Sequence, residues 1–456
     1  MSAIEVIPSA RRLIKSLRDM GYDFAQAVAD VVDNSVEAGA TLVAIDIEFD
    51  GDDSWVRIAD NGKGMKPDAL REAMRFGAER AYEADDLGKF GLGLKTASLS
   101  QCECLSVASR WNRDRADIAG YSWDLAHIEK SNKWEIIPID KDGLNASIRE
   151  PLKERPGTVV LWKRLDRLLG YKHPYGEISR KRLMQMCREV EIHLAMVFHR
   201  FIAGEAGRRK FKIMVNGNAI APWDPFCRTE PKTMRLQPVV LKIEHEGVNG
   251  EVALEPFILP PQHAFSSKVS ADAASGPANW NQQQGFYIYR AERMIQSGGW
   301  SNLRSPDEHT KLARIAIHFS PALDEAFKIN VAKMRVQLPS AIREAVREAV
   351  APVVKLAREV YDRKPPSATP ASLPRASPPR AAAGTFPQPS SIPTGGHGTE
   401  PPRNGTVDGH GTTTLVATAS ALTIDEWSAK LLEAASDTER PTVERVLQRL
   451  RSNMNG

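Results

Sequence analysis

Cysteine is scarce in this chain: four among 456 residues. That is too few for a disulfide framework. Only Cys102 and Cys104 lie close together, in C-x-C spacing, while Cys187 and Cys227 are isolated. Buried, reduced thiols in a cytoplasmic protein are the expectation. Also missing is any apolar run of the ~18 residues that a membrane helix needs, so no membrane partner is expected. The opening stretch MSAIEVIPSARRLIKSL has neither a signal-type apolar core nor a small-residue cleavage site. Charge of one sign is lacking too. Lys+Arg of 61 against Asp+Glu of 57 leaves +4, which does not mark a dedicated nucleic-acid coat. No internal repeat with a period of ~20–50 residues is visible.

Proline is plentiful, at 30 residues, and its distribution divides the chain. From Lys364 to about Thr412 the sequence is rich in Pro, Ser and Gly and poor in large apolar residues. Such a segment cannot offset its ordering entropy by burial, so 364–412 is predicted to be a disordered linker. Residues 413–456 follow as a short helical tail, with Thr423 and Glu426 spaced as a capping box and Pro441 between two amphipathic stretches. Within 1–363, periodicity predicts helices near 8–18, 23–38, 177–202 and 339–362. Strands are predicted near 42–49, 55–60, 103–110, 115–124, 133–139, 157–164, 210–215, 238–245, 250–258, 285–290 and 311–319. The mixture without regular alternation indicates an α+β sandwich for 1–175, followed by a second α/β region over 176–363. The last helix carries a heptad-like seam that Pro352 should kink, packed on its own domain rather than on a coiled-coil partner.

Four short stretches carry the chemistry. In ADVVDNSVEAGA (29–40), Asp30 and Asn34 stand i, i+4 on one helix face, and Asp33 and Glu37 repeat the spacing. A carboxylate beside a carboxamide can hold a metal's hydration shell and orient an attacking water. Alone, an acidic helix is ordinarily a solvated face. In VRIADNGKGM (56–65) a strand runs into Asp60, and Gly62 and Gly64 permit turns and close approaches that a Cβ would block. A carboxylate at that strand end can accept from an exocyclic amine, although an ordinary tight turn reads the same way. In DLGKFGLGLKTASLS (86–100), Gly88, Gly91 and Gly93 precede a helix starting near Leu94, the arrangement of a phosphate cradle. The register is wrong for a Walker loop and the third glycine of G-x-G-x-x-G is missing. In RPGTVVLWKRL (155–165), Thr158 brings a hydroxyl into an apolar strand.

In this order and spacing, the four stretches resemble the GHKL superfamily of ATPases, which includes DNA gyrase B, the heat-shock chaperone of ninety kilodaltons, histidine kinases, MutL and MORC. The resemblance covers about residues 10–165. It implies a Bergerat fold, with helices over one face of a mixed sheet and ATP between them. By the same resemblance, Asn34 would coordinate Mg²⁺, Asp60 would bond the adenine amine with Thr158 assisting, and Gly62, Gly64 and Met65 would flank the base. Gly88, Gly91 and Gly93, with the N–H groups of Leu92 and Leu94, would wrap the phosphates. Residues 66–90 would form the lid, and Lys95 could meet a phosphate. Hydrolytic members carry Glu where this chain has Asp30, one methylene shorter, so Asp30 as general base implies slow turnover.

The region after 176 resembles the transducer domain of the gyrase, MutL and MORC branch. GFYIYRAERMI (285–295) is similar to the strand pair displaying an N/D-R-x-I turn. FKINVAKMRVQLPSAIREAV (327–346) is similar to a MutL segment, which would make Lys333 a γ-phosphate sensor. SLRDMGYDF and DLGKFGLGLKTASLSQC are also similar to bacterial stand-alone GHKL ATP-binding proteins. The resemblance implies an ATP-dependent homodimer working as a clamp. DNA is a client by analogy only, and a non-hydrolysing scaffold for a protein partner is the alternative.

Overall fold

The computed structural model describes residues 6–19, 21–78, 93–115, 117–170, 173–207, 210–245, 247–328 and 336–363. The expected linker (364–412) and helical tail (413–456) lie outside the described residues. Chain order begins α1 (Ala10–Arg18), α2 (Phe24–Glu37), β1 (Leu42–Glu48), β2 (Trp55–Asp60), α3 (Pro67–Met74) and α4 (Gly93–Leu99). It continues β3 (Cys104–Arg110), β4 (Ile118–Asp124), α5 (Leu125–Ser131), β5 (Ile137–Pro138), α6 (Ala146–Leu152), β6 (Gly157–Lys163), α7 (Glu177–Val197) and α8 (His199–Ala203). These segments and the hairpin β7 (Lys212–Val215) and β8 (Asn218–Ala219) build an eight-stranded sheet of order β5-β4-β3-β6-β2-β1-β7-β8.

All neighbours in this sheet are antiparallel except β1 and β7, which run parallel. Strand alternation assigns its faces. Val43, Ile45, Val56, Ile58, Val107, Val160 and Trp162 join α1, α2, α4 and α7 in the main core. Their neighbours Ala59, Ala108, Val159 and Leu161 face the other way and meet Ile148 and Leu152 of α6. Helices therefore cover one face, as expected, but α6 also covers part of the opposite one. The long helix and the β7–β8 hairpin lie beyond residue 175 in sequence, yet they complete this sheet and its helical layer.

Two predicted elements come out differently. The run 177–202 breaks at Phe198, which leaves helical backbone (φ −103°, ψ 16°). Its buried ring lies edge-on to Phe201, at 6.0 Å. The strand predicted over 133–139 shrinks to Ile137–Pro138, because proline offers no ladder N–H and is tolerated only at a sheet edge.

The second sheet uses β9 (Met234–Arg235), β10 (Val239–His245), β11 (Val248–Ile258), β12 (Gly285–Arg290), β13 (Arg293–Ser297) and β14 (Ala313–Phe319), with α9 (Lys268–Ala274) between β11 and β12. Its order is β10-β11-β14-β12-β13, with β9 on β11. One face carries α10 (Ser340–Asp362). Ile342, Val346, Val350, Val353 and Ala357 of that helix pack on Val252, Leu254, Ile315 and Ile317. The apolar seam of α10 is thus consumed by its own sheet. The helix continues through Pro352, whose ring is on the solvent side, where its clash with the preceding turn is most easily relieved.

Candidate functional site

Asp23 starts α2 with a full capping box: its carboxylate accepts from Gln26 N at 2.8 Å, and its own N–H donates to Gln26 Oε1 at 3.3 Å. The helix then carries Asp30, Ser35 and Asn34 past the C-terminal end of β2. That strand ends at Asp60, which shares the parity of Ile58 and so points to the helix-covered side. The β2–β6 register pairs Ala59 with Val159, setting Thr158 beside Asp60.

Between them lies a cavity of about 140 Å³ lined by, among others, Asn34, Ser35, Glu37, Asp60, Gly64, Met65, Leu94, Val107 and Thr158. Of the expected site residues, Asn34, Asp60, Gly64, Met65, Leu94 and Thr158 therefore converge on one hollow. Its floor is apolar, from Val31, Ile58 and Val160. The volume suits a flat ring rather than a complete nucleotide, since pockets for drug-sized ligands start at ~300 Å³. A larger, more open apolar hollow of about 620 Å³ lies among Leu13, Leu17, Phe76, Trp123 and Trp134, and holds none of the expected residues.

Asp60 is tightly gripped. Its Oδ1 accepts from Gly62 N at 2.8 Å and Thr158 N at 3.3 Å, and its Oδ2 accepts from Ser35 Oγ at 3.2 Å. Burial pushes the carboxyl up from 3.8 to about 6, and these three donors only partly counter it. The site thus presents a mostly ionised acceptor at neutral pH. Behind it, Ser109 Oγ donates to Gly157 O at 2.9 Å, meets Thr158 Oγ1 at 3.0 Å and accepts from Met65 N at 2.8 Å. Two glycines are dictated by contact. A Cβ on Gly64, at φ +66°, would stand 1.9 Å from Arg110 O, and one on Gly157 would stand 2.1 Å from Asp60 O. Ser35, Ser109 and Gly157 were not singled out in the sequence. Only the strand parity that Ser109 shares with Val107 could have pointed to one of them.

Asp30 does not line that cavity as the described residues form it. It is buried, with Oδ2 accepting from the Tyr22 hydroxyl at 2.8 Å. A Cβ on Gly93 would approach the same oxygen to 3.5 Å, so the start of α4 lies against Asp30. Burial and the adjacent Asp30 carboxylate push the Tyr22 hydroxyl far up, so Tyr22 is a permanent donor here. Asn34 is exposed and its Nδ2 donates to Asp30 O at 3.0 Å. The second acidic pair separates: Glu37 lines the cavity, whereas buried Asp33 accepts from Arg293 Nε at 2.7 Å.

Lys95 is buried, its amine lowered from 10.5 to about 8 by desolvation, and its Nζ donates to Ala73 O at the end of α3, 3.0 Å away. Gly88, Gly91, Leu92 and Lys333 lie outside the described residues, as does the second half of the expected lid, 79–90, whereas its first half holds α3. The four cysteines are all free. Among the described residues no cluster of three or more His, Cys, Asp or Glu could hold a metal, so a cation here would need ligands of another kind. His193 and His199 are ordinary packed histidines, the latter 2.8 Å from the Tyr289 hydroxyl. No helix among the described residues is long and apolar enough to cross a membrane.

Comparison with known proteins gives concordant matches. Residues 22–158 match the family described as histidine kinase-, DNA gyrase B-, and HSP90-like ATPase. The chain is 38% identical over 256 residues to the DNA mismatch repair protein MutL of Salmonella arizonae, covering 53% of this chain and 37% of that one. It is 40% identical over 258 residues to MutL of Citrobacter koseri, covering 53% and 36%. Against MutL of Treponema pallidum it is 26% identical over 178 residues, covering 38% and 28%. The chain thus spans about a third of the length of these relatives.

Proposed function

We propose a function from one premise: residues 22–158 form an ATPase domain of the GHKL type, with the Bergerat fold, related to that of MutL. The chain would be an Mg²⁺-dependent ATP-binding protein working as an ATP-gated conformational clamp with slow hydrolysis. The observation that carries this reading is the Asp60 carboxylate at the wall of an apolar-floored cavity, held by the Ser35 hydroxyl on one oxygen and the Thr158 backbone N–H on the other. An ionised acceptor in an apolar slot is what a purine amine needs.

In this reading Asp60 accepts from the adenine amine and Thr158 assists, while Gly62, Gly64 and Met65 border the ring. Asn34 would hold Mg²⁺ through its carboxamide oxygen, a hard donor of the kind that ion takes, and the ion would neutralise triphosphate charge. Gly88, Gly91 and Gly93, with the N–H groups of Leu92 and Leu94, would wrap the phosphates. Lys95 would have to leave the Ala73 carbonyl to join them. The second sheet would act as a transducer whose Lys333 contacts the γ-phosphate, so that triphosphate and diphosphate favour different arrangements. Asp30 would take the proton of the attacking water. Its reach is short, and a misplacement of ~1 Å can cost ~10²-fold. Pairing of two protomers on ATP, and DNA as the client, follow from the relation to a DNA mismatch repair protein and are fold-level analogy.

A second reading, a nucleotide-gated scaffold without turnover, is favoured by the engagement of Asp30 with Tyr22 and Arg293. One experiment separates them. Particle size and phosphate release are measured with ATP and with a non-hydrolysable analogue, each with and without duplex DNA. The clamp requires enlargement on analogue binding together with slow phosphate release that DNA accelerates. Tight binding with no release, unchanged in Asp30→Ala, selects the scaffold.

A further inference from the structure

We infer that Arg293 is a positioning residue for the hydrolytic step, acting through Asp30; this rests on the ATPase reading above. Arg293 opens β13 in the second sheet, far outside the segment 22–158 that matches the ATPase family. Asp30 and Asp33 stand i, i+3 on α2, and both carboxylates converge on its guanidinium. Nε donates to Asp33 Oδ1 at 2.7 Å, and Nη2 lies 3.6 Å from Asp30 Oδ1. All three side chains are at most 5% exposed. The other oxygen of Asp30 is held by the Tyr22 hydroxyl at 2.8 Å. A carboxylate one methylene too short for its task is therefore oriented from two sides, and one of them belongs to the other sheet.

The delivery of Arg293 is over-determined. The β12–β13 turn consists of Ala291 and Glu292, both left-handed (φ 46° and 66°), with no glycine or asparagine to relieve them. Such backbone persists only where its surroundings insist on it. Here Arg290 forms a buried two-pronged pair with Asp324 at 2.7 and 2.8 Å, and Glu292 is held by Arg200 at 2.7 Å. The guanidinium thus has little freedom of its own. Any displacement of the second sheet against α2 changes its distance to Asp30, which links the arrangement of the two sheets to the geometry of the base.

The competing account is that Arg293 merely neutralises Asp33. A double-mutant cycle on the full chain decides, with kcat, ATP affinity by calorimetry and thermal melting measured for R293M, D33N, D33N/R293M, R293K and D30N. Expected is a fall in kcat of about tenfold or more in R293M with ATP affinity within about twofold, and a loss below about threefold in D33N. D33N/R293M should regain part of the thermal stability lost in R293M, because Asp33, the closer partner, is then no longer a carboxylate stranded beside an absent cation and Asp30 keeps its bond from Tyr22, yet it should keep the kcat loss of R293M. R293K should recover part of the rate. If R293M does not fold, D33N/R293M against D33N carries the comparison. Equal kcat losses in D33N and R293M, an unchanged rate in R293M, or lost ATP binding in a folded D33N/R293M overturns the inference. Full turnover in D30N sinks the base assignment instead, so the two failures are distinguishable.

Discussion

Asp60→Asn should move stability and affinity in opposite directions. In the native chain Oδ1 carries two backbone N–H donors and Oδ2 one hydroxyl. The asparagine carbonyl can take over the two N–H bonds, and Ser35 can rotate to accept from the new amide, so the fold keeps its bonds. A purine amine arriving at that position would meet a donor instead of an acceptor. A hydrogen bond to a charged group is worth ~1.5–3 kcal/mol, and a stranded buried donor costs ~1–3 more, so ATP affinity should fall by at least ~10²-fold. Stability runs the other way. Burial raises the carboxyl from 3.8 to about 6, so between those pH values the native state holds more protons than the unfolded chain. Stability is therefore lost as pH rises through that window, by ~3 kcal/mol for a displacement of about two pH units, and the loss is complete above pH 6. Removing the charge at pH 7.5 should recover ~1–3 kcal/mol, since the new amide carries a smaller desolvation cost. Calorimetric titration with ATP and thermal melts at pH 5 and 7.5 read both effects. Unchanged affinity refutes the purine assignment. A variant less stable than the native chain at pH 7.5 refutes the claim that the buried charge strains the fold.

Other expectations follow from the same geometry. Adenosine, which has no phosphate to titrate, should bind more weakly as pH falls through about 6, where Asp60 takes up its proton, and Asp60→Asn should flatten that profile; a titration flat in the native chain would argue against it. Gly64→Ala would drive a Cβ into Arg110 O from a left-handed backbone and should cost at least ~2 kcal/mol in denaturant melts, with nucleotide affinity falling too. Asp30→Asn should leave ATP affinity within about threefold while phosphate release drops by ~10²-fold or more; an unaltered rate would move the base to another group, Asp33 being the nearest alternative. Arg290→Met would strand Asp324 in the second sheet and should cost ~3–5 kcal/mol; a melting midpoint equal to the native one would show that this pair is not buried in solution.

The parts legible from sequence were those where backbone geometry dictates residue type. Gly64 is required by the approach of Arg110 O, and Asp60 and Thr158 fall at strand ends that hydrophobic alternation locates. What escaped has non-local causes. The 177–202 run keeps its apolar period across Phe198, so nothing local announces the break. Strand β7 adds to β1 in parallel across more than 160 residues, with no turn to mark the pairing. The ERMI turn was visible, but its target was not: Arg293 meets Asp33 from 260 residues away, and charge pairing at that separation leaves no pattern in one sequence. Nothing in the sequence marks Ser35, because its Asp60 partner is fixed only by how α2 crosses β2.

The parallel docking of β7 on β1 has a consequence for biosynthesis. Leu42 to Ile45 are ready to pair as soon as β1 leaves the ribosome, but β7 begins at Lys212. At ~5–20 residues per second, roughly 8–33 s separate the two strands. Throughout that interval the nascent chain exhibits an uncovered, alternating apolar border of the kind that invites pairing with foreign strands. A fragment ending at residue 175 would retain that border permanently and should precipitate, whereas one extended through Ala219 carries its own cover.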